Sequence, residues 1–208
     1  MIKQKKFVVT GIGTGVGKTV VSAILSEALR ANYWKPVQAG DLDNSDSMKV
    51  ESWTDKVNVL PETFKLRQPM SPHAAAEIDN VIIDAVNLYP PTVEPLIIEG
   101  AGGLMVPLNS SGLTYLDVFE HWKLPVILVS RHYLGSINHT LMSCELLKNK
   151  GLQIAGIIFI GDENPATESI ILKVTGAPMI MRIPEVERIN KRIIQEQAQR
   201  PELLYFFG

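Results

Sequence analysis

Cysteine is nearly missing from this chain: Cys144 is the single one among 208 residues, so no internal disulfide can form. That absence suits a reducing compartment, with stability coming from core packing. Cys144 lies in the helically spaced run NHTLMSCELLKNK and reads as a core residue, not a reactive thiol. Blocks of basic residues are missing too, and the net charge is −2, which excludes the electrostatic footprint of a nucleic-acid binder. A small anionic ligand, held by local backbone and a few lysines, fits this balance better. Long apolar runs are also lacking. Lys3, Lys5 and Lys6 precede only a short apolar run that breaks into glycines, so this is a strand, neither a signal peptide nor a membrane span, and a cytoplasmic location is expected. His73 and His139 have no partner at metal-ligand spacing and read as structural or solvated histidines. Apolar residues make up 46% and charged ones 20%, an ordinary globular composition that excludes disorder. The length fits one domain, expected to span residues 1–208.

Glycine, by contrast, is concentrated where it matters. The run Phe7-Val8-Val9-Thr10-Gly11-Ile12-Gly13-Thr14-Gly15-Val16-Gly17-Lys18-Thr19 is an apolar strand emptying into a glycine-rich turn that ends in Gly-Lys-Thr. Without Cβ atoms the turn can aim several backbone N–H groups at an anion. The helical pattern from Thr19 to Ala31 places a helix N-terminus at its end, where unpaired N–H groups favour phosphate. Lys18 would reach the β- and γ-phosphates and the Thr19 hydroxyl would bind Mg2+. The standard pattern G-x-x-x-x-G-K-[ST] asks for glycine at position 12, which is Ile12; the nearest candidate is Gly11, so the loop is one residue longer.

Apolar runs alternate with helical patterns, the signature of parallel βαβ units. Strands are predicted at Phe7–Thr10, Trp34–Val37, Leu96–Glu99, Val126–Ser130, Ile154–Phe159 and Met179–Ile183. Helices are predicted at 19–32, 45–56, 73–87, 114–122, 137–150, 166–175 and 186–198. The strands are almost wholly apolar, as expected when helices cover both faces of a sheet. The predicted fold class is α/β, a doubly wound and mainly parallel sheet of P-loop type. Ligands of such sheets gather beyond the C-terminal strand ends, which singles out the glycine loop, Lys35-Pro36-Val37, Glu99-Gly100-Ala101-Gly102-Gly103, the segment after Ser130, and Ile160-Gly161-Asp162. The acidic, turn-rich run Ala39 to Asp46 reads as a functional loop, not a domain boundary.

Glu99 sits at that ligand edge beside glycines that allow close approach, and is a candidate Mg2+ ligand together with Thr19 and an acid such as Asp46. Lys35 on its own would be a solvated strand charge, but it projects from the same edge as the phosphate loop. Tyr133 to His139 follows a strand and opens a helix, with two readings open: a cradle for a carboxylate, or an ordinary N-cap at Ser136.

The combination resembles the dethiobiotin synthetase family from Phe7 to about Pro184. The resemblance rests on Thr10-Gly11 with Thr14 and Val16-Gly17-Lys18-Thr19, Lys35-Pro36-Val37, Asn44-Ser45-Asp46, Ser71-Pro72-His73, Glu99 to Gly103 with Pro107-Leu108, Pro125 to Val129, Leu134-Gly135 with Ile137-Asn138-His139, and Ile183-Pro184. It implies a ligase that takes 7,8-diaminopelargonate, CO2 and ATP to dethiobiotin, ADP and phosphate, through a carbamate and a carbamic-phosphoric anhydride. It also implies Lys35 and Lys18 as catalytic residues that neutralise carbamate and phosphoryl charge, with Thr19, Asp46 and Glu99 holding Mg2+. ATP would be bound by Gly13, Thr14, Gly15, Val16, Gly17, Lys18, Thr19, Val20, Asp46, Glu99, Gly100, Ala101, Gly102 and Pro184. Substrate would be bound by Thr14, Lys35, Gly135, Ser136, Ile137 and Asn138, the last four across a homodimer interface. No nucleic acid or membrane partner is implied.

The chain departs from the family pattern twice. The usual serine or threonine after Lys-Pro-Val is Ala39, which removes a hydrogen bond to substrate, and the usual purine-reading asparagine is Ile160, which leaves the nucleotide base open. Two rival readings are a ParA- or MinD-like switch ATPase and a P-loop small-molecule kinase. The switch needs a lysine where this chain has Gly13; the kinase needs an arginine-rich lid, and only Arg30, Arg67 and Arg131 lie between the loop and residue 180.

Overall fold

The computed structural model describes residues 5–208; Lys3 lies outside the described residues. Its first half runs β1 (Lys6–Gly11), α1 (Lys18–Leu29), β2 (Asn32–Trp34), β3 (Val37–Ala39), α2 (Asp46–Trp53), β4 (Val59–Leu60), β5 (Phe64–Leu66) and α3 (Pro72–Ile78). The second half continues with β6 (Leu96–Glu99), α4 (Tyr115–Trp122), β7 (Val126–Arg131), α5 (Ser136–Asn149), β8 (Ile154–Ile160), α6 (Pro165–Thr175), β9 (Met179–Ile183), α7 (Lys191–Ala198) and α8 (Pro201–Phe207).

Seven strands form one sheet in the order β4-β2-β6-β1-β7-β8-β9, and every pairing in it is parallel. From β1 the chain builds outward to β2 and β4, returns with β6, then crosses β1 and builds outward through β7, β8 and β9. The crevice at the C-terminal end of β1, where the direction of winding reverses, is the place such sheets reserve for ligands. β3 leaves the main sheet to pair with β5 alone.

Alternation along the strands divides the core in two. Phe7, Val9, Ile97, Ile127 and Val129 pack against α1, α7 and α8, and the intervening Val8, Leu96, Ile98, Val126 and Leu128 pack against α4 and α5 on the other face. Both sets are buried, which is why these strands read as continuous apolar runs. Fully burying each such side chain contributes roughly 1.5–3 kcal/mol relative to exposure.

Several predicted bounds are corrected. The run Trp34–Val37 is two strands, because Pro36 has no N–H to continue the ladder; β2 ends at Trp34, and the Pro36 carbonyl accepts from Phe64 N at 3.0 Å as β3 departs. The helix expected at 73–87 breaks into α3 and a separate 3-10 turn at Ala85–Asn87, since Asn80 takes a left-handed φ of 55° that ends α3. The helix expected at 186–198 starts at Lys191, where the Asn190 side chain accepts from Ile193 N at 3.1 Å. Ser136 is not an N-cap: that position belongs to Gly135, at φ 102°, and Ser136 is the first helical residue. β4, β5 and α8 carry no counterpart among the predicted elements. Strands of two or three residues are too short to show a period, whereas α8 seats Phe207 edge-on against Phe7 of β1, ring centroids 5.3 Å apart.

Candidate active site

The glycine loop closes tightly over the end of β1. A Cβ at Gly11 would lie 2.5 Å from Val16 Cγ2, so only glycine fits there, in the place the longer loop assigns it. Gly17 caps α1 at φ 96°, a left-handed conformation that glycine adopts without strain. Lys18 therefore starts α1 and folds back, donating from Nζ to the Gly13 carbonyl at 2.8 Å. Burial brings its pKa down to about 8, with Glu99 pulling the other way.

β6 delivers Glu99 to the same crevice with none of its surface exposed. Thr19 Oγ1 donates to its Oε1 at 2.9 Å, Lys35 Nζ donates to the same oxygen at 3.1 Å, and the Tyr33 hydroxyl donates to Oε2 at 2.9 Å. Lys35, set just beyond β2, bridges onward to Asp46 Oδ2 at 2.6 Å. Asp46 opens α2 and takes a second cation, Lys49, on Oδ1 at 3.3 Å. Burial works against the charge on Lys35, but Glu99 and Asp46 outweigh it and raise its pKa above the usual lysine range. Burial would likewise raise Asp46, yet Lys35 and Lys49 hold it below the usual carboxylate range. The result is an ammonium fixed between two carboxylates and fully charged at neutral pH.

Lys18, Thr19, Lys35, Asp46, Lys49 and Glu99 line one cleft of about 790 Å3, which also takes in Thr14, Gly15, Gly17, Val20, Ala101 and Gly102. A second cavity of about 490 Å3 opens on the far side of Gly15, Gly17 and Val20, lined by Arg131, Ile160, Ile183 and Pro184, with Arg131 paired to Glu185. Val16 belongs to this second cavity, Gly13 contributes its carbonyl to Lys18, and Gly100 anchors the strand end by donating to the Val9 carbonyl at 3.0 Å. Ile160 packs against Gly17, where a Cβ would meet its Cγ1 at 3.2 Å. Ala39 lies in the wall of the main cleft as a methyl group.

Gly135, Ser136, Ile137 and Asn138 stand apart, outside the lining of either cavity. They open α5 beside exposed apolar residues, with Leu134 fully exposed and Tyr133 and Met142 about half so. Sequence reasoning missed Tyr33, Gln38 and Lys49. Tyr33 looks like any strand aromatic. Gln38 is buried, accepts from Asp46 N at 3.3 Å and donates to the Gly40 carbonyl at 2.9 Å; its only signal was its place directly after Lys-Pro-Val.

The donor set facing the crevice, a hydroxyl and two carboxylates beside a phosphate-type loop, consists of hard oxygens of the kind Mg2+ takes. Thr19 Oγ1 and Glu99 Oε1 are already in contact, and Asp46 is tied to Glu99 through Lys35. These residues fit the ion.

The sequence matches the family described as "AAA domain" over residues 5–192. An ATP-dependent dethiobiotin synthetase of Christiangramia forsetii is 52% identical over 199 residues, 94% of this chain and 95% of the relative. Its counterpart from Rhodopseudomonas palustris is 47% identical, covering 89% of this chain and 88% of the relative. That from Brucella anthropi is 44% identical, covering 99% and 98%. Among solved structures, a plasmid partition protein of Borrelia burgdorferi bound to AMPPNP superposes with a TM-score of 0.59 at 14% identity, over 99% of this chain and 98% of that one. The cell division ATPase MinD of Pyrococcus furiosus gives 0.54 at 17% identity, over 97% and 100%. At such identity these two share the fold alone, while the level and coverage of the synthetase matches decide membership: the chain belongs to the ATP-dependent dethiobiotin synthetase family.

Proposed function

We propose that this protein catalyses the ATP-dependent carboxylation and ring closure of 7,8-diaminopelargonate to dethiobiotin, a C–N bond-forming step of biotin synthesis. The observation that carries the reading is the buried Lys35 ammonium, held between Asp46 and Glu99 at the mouth of the phosphate loop. One amine of the substrate adds to CO2 and loses a proton, giving a carbamate. A carbamate oxygen then attacks the γ-phosphorus of ATP as ADP leaves, and the neighbouring amine attacks the resulting carbonyl carbon, expelling phosphate and closing the ureido ring.

Each assigned residue serves a charge in that sequence. Lys35 lies where the carbamate would form and offsets its negative charge, while Lys18 serves the phosphoryl group in transfer. Thr14, between the loop and Gly102, faces the reacting diamine. Gly13 to Val20, with Gly100 to Gly102, embrace the ATP phosphates, and Pro184 borders the base. Thr19, Asp46 and Glu99 would hold Mg2+, which neutralises phosphate charge when bound. Gly135 to Asn138 reach the cleft of a second protomer in a homodimer and receive the substrate carboxylate; their place outside the lining of their own cleft and the exposed Leu134 and Met142 support this. The chain works as one P-loop α/β domain. The single cysteine, buried and free, fits a cytoplasmic protein, and among the described residues no helix is long and apolar enough to cross a membrane.

The test is a coupled assay run with ATP, CTP and GTP in parallel. ATP should be consumed, and dethiobiotin formed, only when both the diamine and bicarbonate are supplied. With Ile160 in place of a carboxamide at the base cavity, CTP and GTP are expected to support turnover to within about tenfold of ATP, the scale of one lost hydrogen-bond readout. ATP turnover indifferent to the diamine would refute the assignment.

A further inference from the structure

Tyr33 is a fully buried tyrosine in the middle of the sheet face covered by α1. An apolar position of that kind is served as well by phenylalanine, since a buried hydroxyl costs free energy unless it is bonded. Its hydroxyl has one partner, Glu99 Oε2, at 2.9 Å. The register explains how it gets there. Tyr33 of β2 lies beside Ile97 of β6, and Glu99 is two residues further along the same face, about 7 Å toward the ligand edge. The phenol spans that step along the face, while Thr19 of α1 and Lys35 donate to the other carboxylate oxygen. Burial, reinforced by the Glu99 carboxylate, keeps the phenol pKa well above the usual tyrosine range, so the hydroxyl remains a donor.

The two oxygens of Glu99 are thereby made unequal. Oε2 is spent on a core hydroxyl, and Oε1 is the oxygen turned to Thr19, Lys35 and the cleft. We propose that Tyr33 is a positioning residue that locks the Glu99 carboxylate with Oε1 facing the Mg2+ and phosphate site. The proposal rests on the Mg2+ role given to Glu99 above. Partners that orient a ligating carboxylate commonly govern metal affinity by 10–100-fold. Tyr33 does so here from a core strand, where sequence reading sees only packing.

The test titrates Mg2+ into Tyr33→Phe, Glu99→Gln and the unaltered protein, reading ADP affinity by calorimetry alongside turnover. For Tyr33→Phe, ADP affinity without metal should stay within about twofold, and the Mg2+ concentration for half-maximal effect should rise about tenfold. KM for the diamine should stay within about twofold. An unchanged Mg2+ titration accompanied only by a lower melting temperature would overturn the proposal, because it would make Tyr33 a packing residue. If Glu99→Gln also leaves the titration unmoved, the Mg2+ reading of Glu99 fails and takes the proposal with it; if Glu99→Gln moves it and Tyr33→Phe does not, the Tyr33 assignment alone is wrong. Should Tyr33→Phe not fold, the unaltered protein labelled with 13Cζ-tyrosine supplies the answer. The Tyr33 resonance should shift when Mg2+ joins the ADP complex and not when ADP binds alone, and an unmoved resonance overturns the proposal.

Discussion

Lys18 shows how burial shifts the charge of a single residue. The fold holds its pKa near 8, whereas in the unfolded chain it keeps the ordinary value of 10.5. Between those values the unfolded state binds more protons than the folded one, so stability contributed by this residue rises with pH through that window. Its cost to the fold is full below about pH 8 and vanishes above 10.5. In the proposed role, phosphates entering the loop would restore the charge. ATP binding at about pH 9 should therefore take up close to one proton, and at about pH 6.5 almost none, as measured by calorimetry in buffers of differing ionisation heat; equal uptake at both would contradict the buried-lysine account. Lys18, Lys35, Asp46 and Glu99 were legible as candidates in the sequence, because each stands beside a strand end or at a helix start where residue types have a chemical reason. Tyr33 and Gln38 were not, since an aromatic in a strand and a glutamine after one announce nothing until their partners, Glu99 and Asp46, are brought beside them.

Among the elements, α4 ties local sequence most directly to the site. Thr114 and Asp117 form a reciprocal cap: Thr114 Oγ1 accepts from Asp117 N at 3.3 Å, and Asp117 Oδ2 accepts from Thr114 N at 3.0 Å. The N–H groups of the helix start in turn hold the loop after Glu99, with Leu116 N donating to the Leu104 carbonyl at 2.9 Å and Tyr115 N to that of Val106 at 3.2 Å. Removing the cap by Thr114→Ala should cost about 1 kcal/mol, lowering the melting temperature by roughly 2–4 °C for a chain of this size. An unchanged melting temperature would show the cap to be idle. The main strands were legible as short apolar runs bounded by turn residues; β6 and the edge strand β9 match their predicted bounds residue for residue. The misread ones turn on single residues that outweigh a pattern: Pro36 splitting a strand, Asn80 ending a helix, Asn190 starting one late. α8 escaped notice because a seven-residue helix shows little periodicity, and what it packs against, Phe7, is at the other end of the sequence.

At the scale of the whole molecule, one sheet edge gathers chemistry from four separate stretches of chain: the glycine loop after β1, Lys35 after β2, Asp46 at the start of α2 and Glu99 at the end of β6. Their convergence follows from parallel winding about β1, which sets every strand's C-terminal end on one side. The same winding separates the main cleft, rich in fixed charge and proposed for phosphate and carbamate, from the second cavity around Ile160 and Pro184, proposed for the base. The proposed reaction requires that the charged side bind a carbamate and that ATP phosphorylate that carbamate. Turnover of the diamine with 18O-labelled CO2, followed by mass analysis of the released phosphate, tests it directly. One labelled oxygen carried into each phosphate is the predicted result, and phosphate whose new oxygen comes from solvent water would contradict it.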